Sequence, residues 1–133
     1  MQVLRPSQVR NDRRRVIVLD GDPAVRDSLA TLMALDDHAV VTYATAAAFL
    51  RDLDADPIAC VVCEADLPDR SGLEVFRLLR DRHPEARFAL LMSRKDPQLL
   101  TRARELGIRD VFGKPLVHRR LLDFVTRGSA EGA

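Results

Sequence analysis

The sequence predicts an α/β protein in which one five-stranded parallel sheet is wound on both faces by helices. Three observations carry this. Short apolar runs alternate with longer stretches of helical periodicity along residues 16–127. The runs are continuous and often β-branched, as in Val16-Ile17-Val18-Leu19, which suits strands buried on both faces. A helical segment separates each strand from the next, and such crossovers are right-handed and make neighbouring strands parallel.

The first strand, Val16–Leu19, is broken by Asp20-Gly21-Asp22-Pro23. Pro23 suits the first turn of a helix with Asp22 as its cap, and Val25, Leu29, Leu32 and Met33 give that helix its apolar stripe. Ala39–Tyr43 reads as the second strand and Thr45–Leu53 as the second helix, capped by Thr45. Ile58–Cys63 is the third strand. A Pro-Asp-Arg-Ser-Gly loop then enters a helix over Leu73–Arg82, with its stripe on Leu73, Phe76 and Leu79, widened by Val75 and Leu78. Phe88–Met92 is the fourth strand, and Pro97–Leu106 a helix stopped by Gly107. Asp110–Gly113 is a short fifth strand, and Val117–Thr126 a last helix carrying Leu121, Leu122, Phe124 and Val125. The compact solution is a flavodoxin-like (βα)5 doubly wound sheet of order 2-1-3-4-5.

A chain of 133 residues with 47% hydrophobic and 31% charged residues suits one globular domain. Net charge is +1, but it is uneven: residues 1–15 hold five Arg and one Asp, and the rest hold 16 basic and 19 acidic side chains. Residues 1–14 are expected as a basic disordered tail, 15–127 as the domain, and 128–133 as a tail or the start of a linker. No apolar run approaches the roughly 20 residues of a membrane helix, and no signal peptide is evident, so a cytoplasmic protein without membrane contact is expected.

In open α/β sheets, sites form outside the carboxyl ends of the strands. Those positions hold Asp20, Gly21 and Asp22; Glu64, Ala65 and Asp66; Met92, Ser93 and Arg94; and Lys114 with Pro115. An acidic cluster facing one lysine suits something cationic or phosphorylated. Cys60 and Cys63 have CxxC spacing, but residues three apart on a strand point to opposite faces, so they read as buried small hydrophobes. His38, His83 and His118 are scattered without ligand spacing. No GxGxxG or Walker lysine is present, which counts against nucleotide binding.

Residues 15–127 as a whole resemble a response-regulator receiver domain. The segments VIVLDGDPAVRDSLATLM, EADLPDRSGLEVFRLLR and RARELGIRDVFGKPL carry the resemblance, above all Lys114-Pro115 after the fifth strand and Leu67-Pro68 before Ser71-Gly72-Leu73-Glu74. The resemblance implies a bacterial two-component phosphorelay, with phosphoryl transfer onto an aspartate beside Mg²⁺. It implies two acids after strand one, an acceptor Asp after strand three, a Thr or Ser after strand four, a Lys after strand five and an aromatic switch in strand five.

Matched position by position, Asp20 and Lys114 are kept and four elements depart. The second acid is Gly21, the phosphoacceptor position is Glu64, the hydroxyl position falls on Met92, and the switch position is Val111. Phe112 is next to Val111 but belongs to the other face of a strand. Gly21 supplies no oxygen ligand, so Mg²⁺ binding is expected weak or absent, with Asp20 and Glu64 the residual candidates. Glu64 moves its carboxylate outward by roughly 1.5 Å, and a displacement of about an ångström costs on the order of 10²-fold where alignment matters. Met92 has no donor and fills the pocket, and Val111 removes the rotating ring.

The expectation is a degenerate receiver, no enzyme, acting in signal transduction or transcriptional regulation by protein–protein contact and fixed in one conformation. Glu64 is expected in a direct charge-assisted contact with Lys114. Asp22 is a helix cap or a weak cation ligand; Asp66 is a surrogate acceptor only if strand geometry continues to it, whereas the loop should turn there. Ser93 is a loop residue or N-cap before the fourth helix, or a stand-in hydroxyl, and Pro115 matches the family's cis peptide. As the family implies, a protein partner or second copy would use the face of the fourth helix, fifth strand and fifth helix. That face takes in Leu99, Leu100, Ala103, Arg104, Arg109, Asp110, Arg119, Arg120 and Asp123. Nucleic acid enters only if an effector domain follows. The alternatives are a phosphorylatable switch with altered Mg²⁺ ligands, possibly the front of a DNA-binding regulator, and an acid–base enzyme built on Glu64 and Lys114.

Overall fold

The computed structural model describes residues 14–34, 39–115 and 118–131. The strands are β1 (Arg15–Leu19), β2 (Ala39–Tyr43), β3 (Ile58–Glu64), β4 (Arg87–Met92) and β5 (Asp110–Gly113). The helices are α1 (Pro23–Ala34), α2 (Ala46–Arg51), α3 (Gly72–Arg82), α4 (Pro97–Leu106) and α5 (His118–Glu131). All strand pairs are parallel, in the order β2-β1-β3-β4-β5. The predicted architecture is the observed one. The basic segment 1–13 lies outside the described residues.

The sheet divides two apolar cores. On one face Ile17, Leu19, Val61, Cys63, Leu90 and Met92 pack under α2, α3 and α4 through Phe49, Val75, Leu79 and Ala103. On the other, Val16, Val18, Cys60, Val62, Ala89 and Leu91 pack under α1 and α5 through Leu29, Met33, Leu121, Phe124 and Val125. This is the two-residue alternation of a strand covered on both sides. It places Cys60 and Cys63 in different cores, and both are free thiols. Burial pushes the Cys60 thiol up to about 12 and Cys63 well above the ordinary range, the charges of Glu64 and Asp20 adding to the effect at Cys63.

The helix ends follow local chemistry. The Thr45 hydroxyl accepts from Ala48 N–H at 3.2 Å and Ser71 from Leu73 N–H at 3.1 Å. Asp22 accepts from Ala24 N–H at 2.9 Å, so it caps α1 as predicted. The cap of α4 is Asp96, accepting from Leu99 N–H at 3.0 Å with Pro97 just inside the helix; Ser93 does not cap it. Gly107 closes α4 in the left-handed region at φ 100°, which only glycine adopts without strain. The last helix runs to Glu131, past Thr126, so residues 128–131, expected as a tail, continue the helix. Ala103, expected on the partner face, is fully buried under α4. No helix among the described residues is long and apolar enough to cross a membrane.

Candidate functional site

The carboxyl ends of β1, β3, β4 and β5 meet at one edge of the sheet. Asp20 follows β1 directly and its side chain is fully buried. Its Oδ1 accepts the Asp22 N–H at 2.9 Å. Its Oδ2 lies 2.7 Å from Lys114 Nζ, at an approach that satisfies no hydrogen-bond geometry, so the contact acts as an ion pair. Arg26 reaches back from α1 to donate to the Asp20 carbonyl oxygen at 2.8 Å.

Glu64 ends β3 and is partly buried. Its Oε2 accepts the Gly21 N–H at 3.0 Å, and its Oε1 faces Lys114 Nζ at 3.6 Å. Glu64 thus faces Lys114 in a charge-assisted contact, as expected, but the nearer partner of Lys114 is Asp20. Burial works to lower the Lys114 pKa, but the pairing with Asp20 and then the charge of Glu64 outweigh it, and the ammonium is held above its usual 10.5. Lys114 is placed by its own N–H, which donates to Met92 O at 2.9 Å beyond the last β4–β5 pair, and the Lys114-Pro115 peptide is cis.

The structure thus brings Asp20, Gly21, Glu64 and Lys114 together. Met92 is buried beside them in the core under α4, and Val111 packs against the same core. Phe112 faces the opposite core, edge-on to Phe124 at 6.1 Å. Asp66 is exposed, and its backbone bridges Ser71 where the loop turns. Asp66 and Ser93 instead line a neighbouring cavity of about 290 Å³ with Met92 and Lys95. Asp22 is exposed at the cap of α1. Among the described residues, no group of three or more His, Cys, Asp or Glu side chains is arranged to hold a metal ion.

Two further residues shape the site. Pro68 stands over Gly21: a Cβ on Gly21 would lie 3.3 Å from Pro68 Cγ and 3.7 Å from Glu64 Oε2. Asp69 bridges to another helix, its Oδ1 accepting Ala46 N–H at 3.0 Å and its Oδ2 accepting Ala47 N–H at 2.9 Å at the start of α2. These bonds, Ala47 first and then Ala46, hold the Asp69 carboxyl below its usual 3.8. In sequence, Asp69 reads only as a turn residue after proline, because its partners lie more than twenty residues away.

Residues 16–126 match the response regulator receiver domain family. The chain belongs to that family. This receiver domain of two-component signalling is 35% identical over 100 residues to the transcriptional regulatory protein FixJ of Azorhizobium caulinodans, covering 75% of this chain and 47% of that one. It is 29% identical over 113 residues to the response regulator protein TodT of Pseudomonas putida, covering 84% of this chain and 50% of that one. The receiver domain therefore spans about half the length of these relatives. The solved receiver domain of DrrB, activated with BeF3, is 28% identical with a TM-score of 0.79, covering 87% of this chain and 97% of that one. A CheY-like receiver domain from Methanospirillum hungatei shares the fold at a TM-score of 0.82 and 20% identity, covering 90% and 95%.

Proposed function

We propose that this receiver domain is a degenerate one, acting through protein–protein contact in signal transduction or transcriptional regulation without aspartyl phosphorylation. The observation that supports it is the closed state of the pocket. Each carboxylate spends one oxygen on a backbone N–H and turns the other toward Lys114. The oxygens turned to Lys114 share their charge with its ammonium, and two side-chain carboxylates make a poor start on the octahedral oxygen shell that Mg²⁺ demands. Gly21 adds no ligand, and the Lys114 ammonium stands between the two acids. The residues present do not fit the metal.

Met92 supplies an apolar thioether where a hydroxyl would close on a phosphoryl oxygen. The domain then presents one shape to a partner. On the face of α4, β5 and α5, Arg104, Arg109, Arg119, Arg120 and Asp123 are exposed beside the half-buried Leu99 and Leu100. Its mixed charge suits a salt-sensitive contact with a protein partner or a second copy.

The test is intact mass after incubation with Mg²⁺ and acetyl phosphate, on the native chain and on Glu64→Asp. No adduct on the native chain is expected. A phosphoryl adduct on it overturns the reading in favour of a switch with altered ligands. An adduct on Glu64→Asp alone means that the acceptor side chain is the only missing part of the chemistry.

A further inference from the structure

We propose that a cavity at the amino ends of β4 and β5 is a binding site for a small organic anion, a carboxylate carried on an apolar ring, with Arg80 and Arg109 holding the charge. The cavity lies at the edge of the sheet opposite Glu64 and Lys114. The inference goes beyond the function reading, because it holds whether or not that other edge accepts a phosphoryl group.

A cavity of about 350 Å³ opens between the end of α3, the start of β4 and the turn from α4 into β5. That volume falls within the range of small-ligand sites. Its floor is apolar. Leu79, Phe88 and Ile108 are buried, and Phe76 is half-buried, with its ring 5.1 Å from that of Phe88 and tilted by 60°. A third ring against this pair would bury apolar area and add an aromatic contact.

The exposed part of the lining carries two arginines. Arg80 is held by two contacts: its guanidinium lies 5.3 Å over the Phe76 ring, and its Nη1 donates to Leu106 O at 2.9 Å. Its Nη2 has no acceptor among the described residues. Arg109 is exposed and makes no ion pair among the described residues. The other charges of the lining are engaged elsewhere. Glu85 Oε1 faces His83 Nδ1 at 3.7 Å, Asp110 has a partner, and the Arg87 guanidinium is spent on the ring and carbonyl oxygen of Phe124, on the other face of the sheet.

The missing partner is therefore an anion. A carboxylate takes the N–H groups of a guanidinium fork, while its ring displaces water from the floor. A neutral apolar ligand would leave both arginines without an acceptor, and a bare carboxylate would leave the floor wet. The ligand class is one that carries both parts.

The probe is 3-phenylpropionate, titrated into the ¹⁵N-labelled whole chain and followed by two-dimensional amide spectra, beside its neutral amide and acetate as controls. Saturable shifts are expected at the amides of Phe88, Gly107, Ile108 and Arg109, with a Kd of about 1 mM or tighter, and none at Gly21 or Lys114. Either control should bind about tenfold more weakly, and Arg80→Gln and Arg109→Gln should each weaken the probe about fivefold. Arg109 has no ion pair to lose, so its variant reports binding rather than folding. The proposal is overturned by the absence of shifts at these amides up to about 10 mM probe, or by shifts confined to other amides. Equal affinity for either control, or native affinity in Arg109→Gln, overturns it as well.

Discussion

Gly21 donates its N–H to Glu64 Oε2 at 3.0 Å, and a Cβ at position 21 would stand 3.7 Å from that same oxygen. The two departures from the family pattern are thus one arrangement: the longer acid reaches the backbone of the residue that has lost its side chain.

Restoring an acid at this position is therefore expected to hurt. Gly21→Asp brings a third carboxylate between Asp20 and Glu64 and pushes Pro68, at a cost of about 1–3 kcal/mol by urea unfolding. Gly21→Ala is expected near neutral, since a stiffer unfolded chain contributes about 0.4–1 kcal/mol against the displacement of Pro68. In a Glu64→Gln background the Asp penalty should shrink by at least about 0.5 kcal/mol. An equal penalty in both backgrounds would rule out carboxylate crowding as its cause.

Loss of the lysine leaves Asp20 buried and unpaired. Breaking a buried ion pair from one side costs about 3–5 kcal/mol, and Lys114 is partly exposed, so about 3 kcal/mol is expected for Lys114→Met in metal-free buffer. Adding Asp20→Asn to that variant should return part of the loss, because the uncompensated charge goes with it. Guanidinium unfolding of the four chains closes the cycle, and strict additivity would contradict the pairing.

Acid should loosen the link between the β3–α3 loop and α2. The Asp69 carboxyl is held below its usual 3.8 by the N–H groups of Ala47 and Ala46. A depressed folded-state pKa gives stability that is present above the unfolded value and lost as pH falls through the folded one. Thermal melts taken from neutral pH to below about pH 4 should show a smaller acid-induced drop for Asp69→Asn than for native protein. Identical pH profiles would mean that the bonds contribute nothing.

The thiols should be silent. With Cys60 pushed up to about 12 and both cysteines buried, almost no thiolate exists at neutral pH. An aromatic disulfide reagent should label neither cysteine in the folded chain and both in urea, at a rate that follows unfolding. Fast labelling of native protein would show that one of the cores opens locally.

The fold was legible because its signals are periodic and local. Continuous runs such as Val16–Leu19 marked strands covered on both faces, and the alternation separated Val111 from Phe112 and Cys60 from Cys63 as the two cores do. The gathering of Asp20, Glu64 and Lys114 was legible because each sits at the carboxyl end of its strand. What was not legible depends on distances between loops. The closer pairing of Lys114 with Asp20, the Gly21 N–H as partner of Glu64, and the reach of Asp69 to α2 have no periodic signature. The turn expected at Asp66 is there, since the chain leaves the strand after Glu64 and pairs with Ser71, but where that turn aims the side chain has no signature in the sequence. Of the readings open for Ser93 the structure takes the loop one, and the cap of α4 is Asp96, immediately before the proline that starts the helix.

Val111 lies opposite Leu90 in the sheet and packs on the core beneath α4. A short branched side chain there has no large ring to trade between the interior and the outer surface of β5. On the proposed reading the neighbouring surface has a single form, and a partner that docks on it meets no population of off and on molecules to choose between. Its occupancy then follows mass action alone. The quantity a cell would adjust is copy number, set by synthesis and degradation, and the timescale of the response becomes that of protein turnover.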